Sequence, residues 1–136
     1  MAKAREFTVT IDDKPGALGK CFAALAERQV NILAFQSYVE ERESLVRFIA
    51  DDPETAKSVL GKLRMMFEES EVAVARLPHR PGELARAASQ LGEKHINIDY
   101  SYCGIEPGSP LLLLVFGVDN LTVASAALDQ LAPAVG

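Results

Sequence analysis

The feature that most constrains this chain is an internal repeat in its sequence. Residues 15–32 (PGALGKCFAALAERQVNI) align with residues 81–98 (PGELARAASQLGEKHINI) at a shift of 66 positions, and seven of the 18 aligned pairs are identical. The match continues from ADDPETAKSVL to VDNLTVASAAL at a shift of 68, so the second copy carries two extra residues, at the turn EPGSP (residues 106–110). Such a duplication predicts two copies of one folding unit, at residues 1–70 and 71–136.

Each copy has the pattern of a β-α-β-β-α-β unit. In the first copy an apolar residue at every second position predicts a strand, and apolar residues at i, i+3, i+4 and i+7 then predict a helix. The predicted elements are a strand at residues 7–11, a helix around 18–25, strands at 32–39 and 45–50, a helix after Asp51-Asp52-Pro53 and a strand at 65–69. This order predicts an α+β, ferredoxin-like fold, in which an antiparallel sheet carries both helices on one face.

The second copy repeats this order up to its last strand. Its predicted elements are strands at residues 72–77, 97–105 and 111–118 and helices at 82–94 and 122–131. The last strand is expected near residues 133–138, and we expect it to be missing or vestigial, which would leave a sheet edge exposed. The strand from Leu111 to Phe116 is apolar on both faces, and a second chain packed against it would cover the outer face. The sequence therefore predicts a homodimer.

Charge and composition exclude several classes of partner. The formal net charge is −5 over 136 residues, so the surface repels phosphate backbones and anionic lipid. The longest apolar run has six residues, against the roughly 20 that a membrane-spanning helix needs. No targeting sequence is recognisable at the N-terminus, and the two cysteines are expected to be free thiols. We therefore predict a cytoplasmic protein that binds neither nucleic acid nor membrane.

No set of residues in this sequence indicates catalysis or a metal. The spacing around His79 and His95 matches no metal-binding motif, and Cys21 falls on the apolar stripe of a predicted helix. No Ser-His-Asp or Cys-His set recurs in both copies, and PGALGK lacks the spacing and the Lys-Ser/Thr end of a phosphate-binding loop. We expect no cofactor, no metal and no enzymatic activity.

Two features that occur in both copies have either a binding or a structural interpretation. The first is Pro-Gly at the start of a predicted helix, where backbone N–H groups and a positive dipole end suit a small carboxylate, although Pro-Gly also makes a tight turn. The second is an asparagine between helix and strand, Asn31 and Asn97. Its amide suits the amino and carboxyl groups of an amino acid, but asparagine at this place also ends helices in a left-handed conformation. The sequence leaves both alternatives open.

Together, the segments DDKPGALGKCFAALAERQVNI and PHRPGELARAASQLGEKHINI resemble the signature of the ACT domain, a small ligand-sensing module of amino-acid metabolism. The resemblance covers nearly the whole chain as two tandem copies. It implies two domains side by side, forming one eight-stranded antiparallel sheet with helices on one face. It also implies that a free amino acid binds at the interface between the two domains.

The resemblance also implies which residues bind the ligand. One site would use Asp13, Lys14, Gly16, Ala17 and Leu18, with Asp12 as a further acceptor for an ammonium group, facing Asn97 and Ile98. The other would use His79, Arg80, Gly82, Glu83 and Leu84, facing Asn31 and Ile32. Because of Asp12 and Asp13, we expect the first site to be the better one. Tyr100 and Tyr102 either form an apolar wall of a site or are ordinary strand aromatics.

The function that follows is a non-catalytic, allosteric sensor of a free amino acid that regulates a separate metabolic enzyme. The alternative is a constitutive dimerisation or regulatory subunit of such an enzyme, with degenerate ligand sites. A small enzyme is a third reading, since ferredoxin-like folds do host catalysis. Saturable binding of an amino acid without turnover distinguishes the sensor hypothesis from the other two.

Overall fold

The computed structural model of the chain describes residues 2–131, which form two compact units. The first unit is Arg5–Ser70, and the second is Glu71 onward together with the residues up to Ala4. In chain order the elements are β1 (Lys3–Asp12), α1 (Ala17–Glu27), β2 (Ile32–Glu40), β3 (Glu43–Ala50), α2 (Pro53–Lys62), β4 (Met66–Pro78), α3 (Glu83–Glu93), β5 (Ile98–Ile105), β6 (Leu111–Val118) and α4 (Leu121–Asp129). The predicted α+β class and the alternation of strands and helices are confirmed.

In each unit a central strand pairs antiparallel with two neighbours. β3 lies between β1 and β2, with Phe48 opposite both Phe7 and Phe35. β6 lies between β4 and β5, with Phe116 opposite Ser101. Phe48 and Phe116 therefore occupy equivalent places, 68 positions apart in the sequence.

Each unit has its own apolar core where its helices cover the sheet. The core of the first unit contains Phe7, Val9, Ile11, Cys21, Leu25, Val30, Val46, Phe48, Ala50, Ala56, Val59 and Leu60. The core of the second contains Ala2, Ala73, Ala75, Leu77, Ala87, Leu91, Ile96, Leu114, Phe116, Ala124, Ala127 and Leu128. Burial of a leucine such as Leu25 or Leu91 contributes about 1.5–3 kcal/mol. The helical and strand periodicities of the sequence thus specify two separate cores.

The helices α2 and α4 begin with side-chain caps. Asp52 accepts a hydrogen bond from the Thr55 N–H at 3.1 Å, and Asn120 accepts one from the Val123 N–H at 3.2 Å. These caps satisfy backbone donors that the first turn of a helix leaves unpaired. Among the described residues, no helix is long and apolar enough to cross a membrane.

The boundary between the two predicted copies lies inside one strand. The sequence predicts separate strands at residues 65–69 and 72–77, but β4 runs without a break from Met66 to Pro78. Ser70 and Glu71 lie between the two predicted strands, and neither is a glycine or proline that would turn the chain. The prediction of two strands is therefore wrong, and the first five residues of β4 belong to the first unit.

Residues from the start of the chain complete the second unit. The Val74 N–H donates a hydrogen bond to the Ala2 carbonyl oxygen at 3.0 Å, and Ala2 is buried in the second core. The expectation of an exposed edge is therefore wrong at this place, because Ala2 pairs with β4. The predicted missing or vestigial last strand, near residues 133–138, lies outside the described residues.

Both faces of β6 are buried within the single chain. Leu114 and Phe116 face the helices, and Leu113 and Val115 on the opposite face are 1% and 0% exposed. The apolar outer face of this strand therefore needs no second chain to cover it. The homodimer remains a prediction, but this strand no longer supports it.

Candidate functional site

The loops before α1 and α3 bring glycine to the first position before each helix. Gly16 and Gly82 adopt left-handed backbone conformations, with φ of 88° and 93°, and neither helix has a side-chain cap. A residue with a Cβ is strained at such φ, which explains why glycine stands at both places. Unlike α2 and α4, these helices begin with backbone donors that no side chain satisfies.

An ion-paired cluster lies at the start of α3. The Glu83 side chain is only 8% exposed and accepts hydrogen bonds from Arg80 Nε at 2.9 Å and from Arg86 Nε at 3.0 Å. Burial alone raises the pKa of Glu83, but the hydrogen bonds from the two guanidinium groups outweigh it and hold the pKa below its ordinary value. The cluster therefore places an ionised carboxylate and two cations beside the uncapped end of α3.

A cavity of about 660 Å³ opens beside this cluster in the second unit. It is lined by Leu77, Pro78, His79, Arg80, Pro81, Gly82, Glu83, Leu84, Ser101, Tyr102, Cys103, Leu112, Leu114 and Phe116. Its size falls in the range of small-molecule sites, and its lining is mainly apolar with a few polar side chains, as is usual for such sites. The structure thus brings together all five residues predicted from the second loop: His79, Arg80, Gly82, Glu83 and Leu84.

The first unit has a smaller cavity, of about 430 Å³, in a different place. It lies beside α1 and the segment from Leu63 to Met66, and its lining includes Asp12, Lys14 and Ala17 but not the strand β2 or β3. Asp13, Gly16 and Leu18 do not line it, and Leu18 packs against the first core instead. The larger and more apolar cavity is thus not beside the loop that the sequence ranks first.

The two asparagines have a backbone role in the structure. The Asn31 N–H donates to Asp51 Oδ1 at 2.9 Å, and the Asn97 N–H donates to Asp119 Oδ1 at 3.2 Å, which ties the start of β2 and of β5 to the end of the neighbouring strand. The Asn97 side-chain amide also donates to Asp99 Oδ1 at 3.3 Å. Neither Asn31 nor Asn97 lines the cavity of its own unit.

The left-handed residues that end α1 and α3 are not these asparagines. Gln29 and His95 have φ of 62° and 57°, each two positions before the asparagine. The helix-ending interpretation of Asn31 and Asn97 is therefore wrong. Ile32 and Ile98, which follow the asparagines, pack against the two cores rather than lining a cavity.

Sequence reasoning missed the cavity wall that strands β5 and β6 supply. Ser101, Cys103, Leu112, Leu114 and Phe116 line the cavity but were not predicted as site residues. One signal for them exists in the repeat, where Ser101 stands at the place that Phe35 holds in the first copy. A small residue in place of a large one, at an aligned position of the two copies, indicates missing volume on that face of the sheet.

The remaining reactive side chains are dispersed. Within residues 2–131, no group of three or more His, Cys, Asp or Glu side chains could hold a metal ion. Cys21 is buried, and this burial raises the pKa of its thiol, whereas Cys103 is exposed at the cavity. The rings of Tyr100 and Tyr102 stack with their centroids 6.4 Å apart.

Comparisons with known proteins agree with this fold. The family model of the ACT domain matches residues 6–64. The solved structure of protein BT0572 from Bacteroides thetaiotaomicron superposes with a TM-score of 0.82 at 21% identity, covering 95% of this chain and 88% of that one. A search of curated proteins found no match.

Two further structures similar to this chain come from aspartate kinases. The regulatory subunit of aspartate kinase from Thermus thermophilus has a TM-score of 0.61 at 20% identity, with 95% of this chain and 91% of that chain covered. Aspartate kinase from Clostridium acetobutylicum, described as an allosteric enzyme, has a TM-score of 0.54 at 13% identity, and 95% of this chain covers 33% of it. At these identities the similarity establishes the fold.

Proposed function

We propose that this chain is a non-catalytic regulatory protein that binds a free amino acid in the cavity of its second unit. The ACT-domain model that matches residues 6–64, in the first unit, supports the regulatory role. The observation that carries the proposal is the pairing of Arg80 and Glu83 in the lining of a mainly apolar cavity. A free amino acid carries a carboxylate, an ammonium group and a side chain, and this cavity offers a partner to each.

In this proposal, Arg80 and the backbone N–H groups of the first turn of α3 bind the carboxylate of the ligand. A guanidinium group binds a carboxylate in a fixed, planar geometry, and an uncapped helix start favours negative charge. The absence of a Cβ at Gly82 leaves the backbone open, with no atom within 4 Å of where that Cβ would be. The ligand carboxylate would thus take the place that Asp52 and Asn120 fill at α2 and α4.

The ammonium group of the ligand is assigned to Glu83. Its carboxylate is ionised and already fixed by two arginines, but a carboxylate accepts about four hydrogen bonds, so further donors can be accommodated. The site is therefore ordered before the ligand arrives, which reduces the entropy cost of binding.

Regulation would follow from the coupling of this site to a partner enzyme. If the ligand changes the affinity of the chain for the partner, the partner changes the affinity for the ligand by the same factor. The similarity to the regulatory subunit of one aspartate kinase and to part of another aspartate kinase supports a metabolic enzyme as that partner. No residue among 2–131 is assigned a catalytic role.

The test is thermal unfolding of the purified chain with each of the 20 amino acids at millimolar concentration. A ligand at 100 times its Kd adds about 2.7 kcal/mol to the free energy of unfolding, which raises Tm by several degrees. The amide of the same amino acid, which lacks the carboxylate, is expected to give no shift.

The variant Arg80→Gln locates the site. Loss of a hydrogen bond to a charged group is expected to weaken binding by about ten- to a hundredfold. The matched control is Arg76→Gln, since Arg76 also pairs with a glutamate, Glu106, at 2.5 Å but does not line this cavity. No shift with any amino acid would favour a constitutive subunit, and equal loss in both variants would contradict the assigned site.

A further inference from the structure

Three phenylalanines of the first unit contact one another, from the buried Phe48 to Phe35, which is 50% exposed. The ring of Phe22, on α1, packs edge to face against Phe35 with the centroids 5.4 Å apart, and against Phe48 at 6.1 Å. Phe35 and Phe48 lie opposite each other on β2 and β3. None of the three lines the first-unit cavity.

Two of these three rings are absent from the second unit. The alignment of the copies places Ala88 at the position of Phe22 and Ser101 at that of Phe35, while Phe116 retains the ring of Phe48. Ser101 lies opposite Phe116, as Phe35 lies opposite Phe48. Ser101 and Phe116 both line the 660 Å³ cavity. The cavity of the second unit therefore lies where the first unit holds aromatic side chains.

Outside the charged cluster, the lining of the cavity is mainly apolar. Its apolar side chains include Leu77, Leu112, Leu114 and Phe116. A polar or charged side chain in contact with this lining would lose its hydrogen bonds to water, whereas a large apolar one would gain from burial.

We propose that the ligand of this cavity is an amino acid with a large apolar side chain, aromatic or branched aliphatic, which inserts against Phe116 where the first unit holds Phe35. This inference rests on the proposed function, and it adds the class of amino acid. The charged groups at Arg80 and Glu83 hold the part that all amino acids share, and the wall of β5 and β6 selects the side chain.

The experiment is calorimetric titration of the chain with L-phenylalanine, L-leucine, L-alanine, L-serine, L-aspartate and L-lysine. We expect L-phenylalanine or L-leucine to bind about ten- to a hundredfold more tightly than L-alanine, since the additional side-chain surface is buried. Tighter binding of L-serine, L-aspartate or L-lysine would overturn the inference and leave the proposed function intact. Binding of none of the six would also overturn the inference, whereas only the absence of a shift with all 20 amino acids in thermal unfolding would contradict the proposed function.

The variant Ser101→Phe restores the ring that the first unit has at this position. It is expected to weaken binding of the large apolar ligand by at least tenfold, because the new ring takes its space. The control is Ser37→Phe, the same substitution at an exposed position of β2 in the first unit, which should leave binding unchanged. Unchanged affinity in the folded Ser101→Phe variant would overturn the inference.

The thiol of Cys103 gives a second measurement on the unaltered protein. Cys103 is exposed and lines the cavity, whereas Cys21 is buried and serves as an internal reference. L-Phenylalanine at saturation should slow alkylation of Cys103 by iodoacetamide, and L-serine at the same concentration should not. If only L-serine protected Cys103, the inference would be overturned. It would also be overturned if a large apolar amino acid bound without protecting Cys103, because the side chain of that ligand would then lie elsewhere.

Discussion

At the scale of single residues, the two units fill equivalent space with different pairs of side chains. On β2 and β3 of the first unit Ala34 lies opposite Ile49, and on β5 and β6 of the second Tyr100 lies opposite Gly117. A small residue is thus paired with a larger one in both units, but the larger residue has moved to the other strand. A Cβ built on Gly117 would lie 2.3 Å from the Tyr100 ring, so this glycine is required by its neighbour.

The substitution Gly117→Ala should therefore destabilise the chain. The added methyl group overlaps Cε1 and Cζ of Tyr100, and a shift of this ring disturbs its stacking on Tyr102. We expect the free energy of unfolding to fall by about 1–3 kcal/mol, as measured by chemical denaturation. In a Tyr100→Ala background the same change should cost less than a third as much, and equal costs in the two backgrounds would contradict this explanation.

At the scale of elements, the local features were predictable and the cavity was not. The Pro-Gly turns, the acidic cap with an early proline at α2 and the longer turn between β5 and β6 each depend on a few consecutive residues. The cavity depends on the loop after β4 and on two strands that follow α3, and these meet only in the folded unit. The replacement of Phe35 by Ser101 is visible in the aligned repeat. Only the pairing of the strands shows that this replacement removes an aromatic side chain next to the cavity.

The first turn of α3 gives a prediction about pH. The pKa of Glu83 is lower in the folded chain than its ordinary value, because Arg86 and Arg80 donate to its carboxylate more strongly than burial opposes ionisation. A carboxyl group with a lowered pKa stabilises the fold above its unfolded pKa, and this stabilisation is lost as the pH falls through the folded pKa. Glu83→Gln should therefore lower Tm at neutral pH.

The difference in Tm between the wild type and Glu83→Gln should shrink as the pH falls from about 6 to about 3, because protonated glutamate and glutamine are both neutral. The pKa of Asp52 is also lowered, by its hydrogen bonds with Thr55, so the wild type itself loses stability over this range. Thermal unfolding of both proteins at each pH separates the two effects. A difference that stays constant with pH would contradict the role of the Glu83 charge.

At the scale of the whole molecule, the units divide between Ser70 and Glu71, but the start of the chain does not follow the duplicated sequence. The repeat predicts a division after residue 70, yet the residues up to Ala4 belong with the second unit. The pattern of the first residues could not predict this, because it indicates a strand without indicating which sheet the strand joins. The contact itself is specific, with Ala2 only 7% exposed and its carbonyl bonded to Val74.

The substitution Ala2→Asp should therefore destabilise the second unit, 70 residues away in sequence. It places a carboxylate in an apolar core that includes Ala73, and burial of a polar group without partners costs about 1–3 kcal/mol. The hydrogen-exchange protection of the Val74 amide, which donates to the Ala2 carbonyl oxygen, should fall together with the stability of the second unit. The control is Ala23→Asp at an exposed position of α1, which should cost less than about 1 kcal/mol. If Ala2→Asp cost no more than this control and left Val74 protected, Ala2 would not be a member of the second core.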